Sequence, residues 1–584
     1  MDTMLYSEIA DVFDRLERTS SRLEMTSIFS DFFRRLDPVS LKKIVYLSQG
    51  KLHPDFHPAE LGMADKLVLR SIAFVSGASE KRMDELWKEK GDPGAIAETL
   101  IKARKQAALF SEPLTLEKVL KNLTLIETAE GRDSQDKKMK YLSNLLMDSG
   151  PVEARYLCRI VTGRMRLGAS SMTILDALAE AFGTKEDRPD IERAFNITCD
   201  LGLVAETLSV GGVGAVKEMK VAVGSPIKVM LAERLPSMPL ILDRMGGRCA
   251  MEFKYDGIRV QAHISKDAVK LYSRRMEDLT SNFPDIAAEL RKQCKAEKAI
   301  IEGECVAVDR DGGMLPFQNV THRRKKHGMD KAVEDYPVKM FMFDVLLVND
   351  EDMTTRPFEE RRSKLGDIFE LSDLMKLTTM EIINTPEEGE AFFVKALEKK
   401  CEGVLAKSLS SEYRAGSRGF LWIKYKKDYE EALTDSFDLV VVGAFHGRGK
   451  RAGKYGALLM AVFDDETGRY GTVCKLGTGF DDVFLAGMPD MLDRYLSSER
   501  PNTVDAQMVP DVWFLPTAVL EVVAAEISLS PIHTAAMGRV KEDAGLGLRF
   551  PRFTGRVRED KGPEECTTSN EVLSMYEMQT RDKK

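Results

Sequence analysis

The stretch Met251-Glu-Phe-Lys254-Tyr-Asp-Gly257-Ile-Arg-Val-Gln261 sets a lysine just ahead of a Tyr-Asp-Gly turn signal. Beyond the turn, Ile258, Val260, Ala262 and Ile264 alternate with Arg259, Gln261 and His263, the period-two pattern of a strand with one apolar face. Ser265-Lys-Asp267 and residues 268–273 then complete a hairpin reading, with turn residues where a turn is needed. A lysine at a strand–turn junction, flanked by Glu252, Asp256 and Arg259, is an odd thing to build for stability alone. On its own, Lys-x-Asp-Gly-x-Arg is short enough to arise by chance in 584 residues, as a surface hairpin with a charged rim.

On either side of this stretch the texture changes. Residues 1–215 read as helical. Ile9, Val12, Phe13 and Leu16 form an amphipathic stripe, and Ser170 or Ser171 caps a second helix over 172–182, facing Ile174, Leu175, Leu178 and Phe182 inward. Arg164-Met-Arg-Leu-Gly168 opens towards that helix's N-terminus, where free N–H groups and the dipole bind phosphate. A phosphate contact and a plain loop both fit it. Gln106-Ala-Ala-Leu109-Phe110 reads either as a short clamp-binding peptide or as a helix end that buries Leu109 and Phe110. Residues 210–240, with Pro226, Pro236 and Pro239, read as an extended connection.

From 241 to 428 strands alternate with helices. Residues 299–309 place Glu302 and Glu304 on one face of a strand. Val338–Val348 is an apolar strand carrying Asp344, and Trp422-Ile-Lys424-Tyr-Lys426 brings its two lysines together. After Asp428, residues 437–445, 457–463 and 470–475 read as short strands, the last two joined by Asp-Asp-Glu-Thr-Gly468. That pattern suggests a small β-barrel of the oligonucleotide-binding type. The tail after Pro563 is polar and is predicted to fray.

Length and composition bound the function classes. The chain is too long for one core, and 43% hydrophobic with 30% charged residues describes a globular protein rather than a disordered one. No apolar run is long enough to span a bilayer, and the first residues lack the basic and apolar regions of a signal peptide. Eight scattered cysteines with no Cys-x-x-Cys pair disfavour a zinc module or disulfide framework and fit a reducing cytoplasm. Net charge is −8, yet basic clusters recur at 323–326, 424–427, 448–454 and 549–558, mild evidence for a polyanionic partner.

The ordered set is more specific than any one motif. Downstream of Lys254 come Ser273-Arg274-Arg275, Glu302-Gly-Glu304, Met342-Phe343-Asp344, Glu402-Gly-Val-Leu-Ala-Lys407 and Trp422-Ile-Lys424-Tyr-Lys426. Arg549-Phe550-Pro-Arg552-Phe and Arg556-Val-Arg558-Glu-Asp-Lys561 close it. In order and spacing this resembles the covalent nucleotidyltransferases, and the closing run looks like an ATP-dependent DNA ligase. With its helical first third, the chain is similar to archaeal replicative ligases, which share their layout with eukaryotic DNA ligase I.

The resemblance implies a helical DNA-binding domain (1–215), an α+β adenylation domain (216–428) and an OB-fold domain (429–584). The implied activity is sealing of nicks in duplex DNA, in replication, repair and recombination, with ATP and Mg²⁺ as cofactors. The nearest enzyme alternative is an RNA ligase or capping-type nucleotidyltransferase, against which the helical domain and the Arg-Phe-Pro-Arg-Phe run both argue. By resemblance Lys254 is the adenylated residue; an arginine, which stays protonated, could not serve. Glu252 contacts the adenine edge, Phe343 stacks on adenine or is a core residue, and Arg259 and Arg274 serve ribose and phosphate. Glu304 and Glu402 serve ribose and metal, Lys424 and Lys426 the α-phosphate, and Arg418 a further ATP contact. Glu302 stands where relatives often have aspartate and is left outside the set. Arg552, Arg558 and Lys561 orient pyrophosphate, although Gly555 is an insertion that leaves the arginine register near 556–558 unsettled. Arg549 and Phe550 contact the minor groove, Arg164 a DNA phosphate, and Gln106, Leu109 and Phe110 a sliding clamp. A cytoplasmic monomer is expected, with no membrane association.

Overall fold

The structure, a computed structural model, describes residues 4–581 apart from 105–111, 236, 316–318, 321, 325–332, 427–435 and 448–453. The expected clamp peptide, Gln106 to Phe110, lies outside the described residues. Tertiary contacts divide the chain into two compact units. One comprises Met1–Arg188, Leu201–Ala215 and Glu430–Lys584, the other Pro189–Asp200 and Val216–Tyr429.

In the first unit, helix follows helix from Tyr6 onward. Helix Tyr6–Glu17 buries Ile9, Val12, Phe13 and Leu16, the stripe its spacing demands. Helix Ser171–Phe182 starts at Ser170, whose hydroxyl accepts the Thr173 N–H at 3.4 Å. Its Ile174, Leu175 and Leu178 are buried, whereas Phe182 is half-buried. Arg159 ties three segments of this unit together, donating to Glu17 at 2.8 and 2.9 Å and to Asp92 at 2.6 and 3.0 Å.

The second unit is built on two sheets. The first runs in the order β1 (Leu231–Arg234), β11 (Arg418–Lys426), β10 (Gly403–Lys407), β2 (Cys249–Lys254) and β9 (Met380–Ile383). The second runs β4 (Val269–Ser273), β3 (Ile258–Ile264), β5 (Ala299–Ala307), β6 (Val338–Val348) and β7 (Glu351–Asp352), with β8 (Met375–Leu377) parallel to β6. One face of β3, Val260, Ala262 and Ile264, packs with Ile301, Met340 and Met342 beneath helix Pro284–Gln293. On the first sheet, Met251, Phe253, Val404 and Ile423 pack against Phe392 and Phe393 of helix Pro386–Glu398. The remaining faces meet each other, where Trp422 of β11 packs with Phe343 and Leu347 of β6.

The connection ahead of β1 is extended, and its polar partners explain why. The Gln261 side-chain amide donates to the Ile227 carbonyl at 3.0 Å and accepts the Ile227 N–H at 2.7 Å. A side chain thus stands in for a neighbouring strand, satisfying backbone groups that would each cost about 1–3 kcal/mol if buried alone. Tyr413 accepts the Met230 N–H, and Arg259 donates to the Met230 carbonyl, both at 2.9 Å.

The C-terminal part of the first unit is a curled antiparallel sheet built on β12 (Ser436–His446), β13 (Tyr455–Asp464) and β14 (Arg469–Leu476). These three strands lie where the alternation placed them. Strand β15 (Leu496–Ser497) and β17 (Val512–Phe514) extend it on one side, and β16 (Val504–Asp505) on the other. Strand β18 (Val519–Val523) joins β12 to β21 (Arg552–Val557), while β19 (Glu526–Ser530) and β20 (Gly545–Arg549) form a separate ribbon. Among the described residues the strand pairing curls but does not close into a ring. The tail departs from expectation: instead of fraying, Ser569–Arg581 is a helix. Val572 is buried in the sheet's core, and Gln579 exchanges two hydrogen bonds with the Ile527 backbone at 2.9 and 3.1 Å. The Val572, Leu573 and Tyr576 stripe was hidden within a polar composition.

Candidate active site

Pairing across β2, β10 and β11 sets three rows side by side. Lys254, Gly403 and Lys426 form the first row, Glu252, Leu405 and Lys424 the second, and Ala250, Lys407 and Trp422 the third. Residues in one row share a face, so the lysines, Glu252 and Trp422 project together. Two glycines make the close approach possible. A Cβ on Gly403, whose φ is +152°, would fall 2.1 Å from the Tyr425 carbonyl oxygen, and one on Gly257 2.3 Å from that of Cys305.

Lys254 ends β2 with 28% of its side chain exposed; its Nζ lies 2.6 Å from Glu402 Oε2. Lys426 Nζ is 2.9 Å from the same oxygen, and the Glu402 N–H donates to the Lys254 carbonyl at 2.9 Å. Burial opposes the Lys254 ammonium, but Glu402 and then Glu304 outweigh it and hold its pKa above the ordinary lysine value. Glu402 is the mirror case: burial pushes its carboxyl up, and Lys254 and Lys426 pull it well below the usual carboxylate range. Glu304 is driven up to about 7, because burial outweighs the pull of Lys254 and Arg259.

The facing sheet supplies the rest. Arg259 of β3 pairs in register with Glu304 of β5. Its guanidinium donates to Glu302 at 2.8 Å, and Tyr413 donates to the same carboxylate at 2.9 Å. Glu302, left outside the expected set, is fully buried and holds Arg259 in place. Phe343 is almost fully buried, its ring edge-on to Trp422 at 6.1 Å, with Arg259 at 5.3 Å and Lys407 at 4.7 Å from its centroid. Glu252 is buried too, accepting the Thr378 hydroxyl at 3.0 Å with Lys407 Nζ at 2.6 Å. Arg274 sits in the turn after β4, and Arg418 begins β11 opposite Leu231.

The expected DNA and pyrophosphate residues belong to the first unit. Phe550 is 75% exposed with φ of 53°, and Arg549 lies over its ring at 5.8 Å and 3.5 Å from Glu526. A non-glycine residue in left-handed backbone costs about 1–3 kcal/mol, and strain of this kind clusters at binding sites. Gly555, at φ of 93°, sits where β21 bulges against β18, between the pairs Val522–Phe553 and Leu520–Val557. Beyond the bulge Arg558 donates to Asp438, at 2.9 and 3.0 Å, with Asp560 on its other edge. Lys561 also pairs with Asp438. Arg552 is exposed on the same strand. Arg164 pairs with Asp65 and donates to the Arg494 carbonyl.

Sequence reading gave no role to Lys407, named only as the end of its motif, and missed Thr378, Tyr413, Asp438 and Arg362, whose Nε lies 3.4 Å from Glu252. Only Lys407 left a signal, a charge in an otherwise apolar five-residue strand.

Three family models match in chain order. Residues 5–179 match the DNA ligase N terminus, 229–426 the ATP dependent DNA ligase domain and 451–561 the ATP dependent DNA ligase C terminal region. The chain is 47% identical to DNA ligase 2 of Thermofilum pendens, covering 99% of this chain and 98% of that protein. It is 43% identical to a DNA ligase of Hyperthermus butylicus and 44% identical to one of Caldivirga maquilingensis, each over 99% of this chain and 98% of the relative. Likeness of this degree over 99% of the chain, with the three family models matched in order, places the chain in the ATP-dependent DNA ligase family.

Proposed function

We propose that the protein seals nicks in duplex DNA through AMP carried on Lys254. In the first step the neutral Nζ attacks the α-phosphorus of ATP, a P–N bond forms, the bond to pyrophosphate breaks, and the lysine proton is lost. AMP then passes to the 5′-phosphate of the nick, returning the lysine, and the 3′-hydroxyl displaces AMP to form the phosphodiester bond. The observation that carries the reading is the row Lys254–Gly403–Lys426 with Glu402 between the two ammonium groups. An amine held as an ammonium by a carboxylate is poised but silent. Loosening the Glu402 contact lowers its pKa and frees the nucleophile.

Glu304 and Glu402 suit Mg²⁺, which typically takes one or two carboxylates and completes its octahedron from phosphate and water. Bound there, Mg²⁺ supplies charge neutralisation. Lys424 and Lys426 orient the α-phosphate, Arg259 and Arg274 the ribose and phosphates, Phe343 and Glu252 the adenine, and Arg418 a further part of ATP.

In this reading residues 1–215 bind duplex, 216–428 carry adenylation, and 429–584 form an OB-type barrel. Arg549 and Phe550 contact the minor groove, Arg164 the backbone, and Arg552, Arg558 and Lys561 pyrophosphate. The protein works as a cytoplasmic monomer in replication, repair and recombination, recruited by a sliding clamp through Gln106, Leu109 and Phe110. Among the described residues no helix is long and apolar enough to cross a membrane. The decisive variant is Lys254→Ala: loss of all covalent labelling by ATP with nicked-DNA binding retained is expected, and undiminished labelling would sink the assignment.

A further inference from the structure

Lys407 is a lysine with no solvent exposure, and Glu252 beside it is 1% exposed. Its Nζ lies 2.6 Å from Glu252 Oε2 and 4.3 Å, 4.7 Å and 4.7 Å from the ring centroids of Trp422, Phe343 and Phe358. Three aromatic faces and a carboxylate make a cage that tolerates an ammonium. As filler it is a poor choice, since an apolar side chain of the same volume avoids the desolvation cost of a buried ion pair. Its effect must therefore be sought in what it touches.

What it touches is the carboxylate of Glu252, whose other oxygen accepts the Thr378 hydroxyl at 3.0 Å and lies 3.4 Å from Arg362 Nε. An ionised carboxylate is acceptor-only. Fixed against a purine edge, it accepts from an exocyclic amine and repels an exocyclic carbonyl oxygen in the same place. Lys407 also lies against Phe343, so one cation braces both the group read as meeting the purine edge and the ring read as stacking on its face. We propose that Lys407 is a positioning residue that fixes the Glu252 carboxylate and so sets the preference for adenine over 6-oxopurines. The inference rests on the reading of Glu252 as the adenine contact.

The test is calorimetric titration of the full-length protein with the α,β-methylene analogues of ATP and ITP, which cannot transfer a nucleotide to Lys254. The native protein is expected to favour the adenine analogue by about 100-fold or more. Glu252→Gln removes that preference, and Lys407→Met, which keeps the volume, lowers it by about tenfold or more. A preference in K407M equal to the native one, beside a collapsed preference in E252Q, overturns the proposal and leaves the Glu252 reading standing. A full preference in E252Q overturns both. Should K407M not fold, Lys407→Arg is expected to keep the preference and Lys407→Gln to lose it; equal preferences in those two variants overturn the proposal.

Discussion

Replacing Glu304 by glutamine is expected to stabilise the protein while disabling it. The Glu304 carboxyl is held at about 7 against an ordinary 4.5, with burial as the main cause. A folded-state pKa above the unfolded value favours the protonated form, so the contribution is full below pH 4.5 and is lost as pH rises through 7. At about 1.4 kcal/mol per pH unit, ionised Glu304 costs the fold about 3 kcal/mol as an upper value. Partial solvation brings the expected gain for Glu304→Gln at pH 8 to about 1–3 kcal/mol, a rise of several degrees in the unfolding midpoint of a unit this size. At pH 4.5 the gain should vanish, because both side chains are then neutral. Thermal unfolding of the two proteins with EDTA and without nucleotide, at both pH values, reads the difference. An equal effect at the two pH values, or destabilisation at pH 8, would refute the electrostatic account of this site.

Further substitutions probe the DNA surface, the bulge in β21 and a buried ion pair. Phe550→Ala, at an exposed position, should change the stability by no more than about 0.5 kcal/mol yet weaken nicked-duplex binding about tenfold; unchanged binding by fluorescence anisotropy would remove Phe550 from the DNA surface. Gly555→Val, imposing a β-branched residue where φ is 93°, should cost about 1–3 kcal/mol in chemical denaturation, and no loss would mean that the bulge carries no strain. Arg361 and Asp344 are both fully buried and joined by bonds of 2.7 and 3.0 Å. Arg361→Met should therefore cost about 3–5 kcal/mol, most of it recovered on adding Asp344→Leu; additive losses would contradict the buried-pair account.

What the sequence made legible was local. The β3–β4 hairpin, the Glu302–Glu304 strand and the β12–β14 meander follow from alternation and turn residues a few positions apart. Lys254, Glu304, Lys424 and Lys426 stood out as charges placed in strand patterns, whereas Glu402 came with the family resemblance; pairing brought Lys254 and Lys426 into one row with Glu402 beside them. What stayed hidden is long-range. Glu252 meets Lys407 across paired strands, Asp438 collects Arg558 and Lys561 from more than a hundred residues away, and the Gln261 amide replaces a strand neighbour for Ile227. No period or spacing encodes such pairings, because each depends on which strands become neighbours. The tail was misread for a related reason: its helix is held by a few apolar side chains docking on a sheet the local pattern does not mention.

The most direct measurement is incubation of the purified protein with α-³²P-labelled ATP and Mg²⁺, denaturing electrophoresis, and a chase with nicked duplex DNA. Label that binds the native protein covalently, is absent from Lys254→Ala and leaves only when nicked DNA is added is the predicted result. Label retained by Lys254→Ala, or unaffected by nicked DNA, would contradict the central claim that Lys254 carries AMP to the nick.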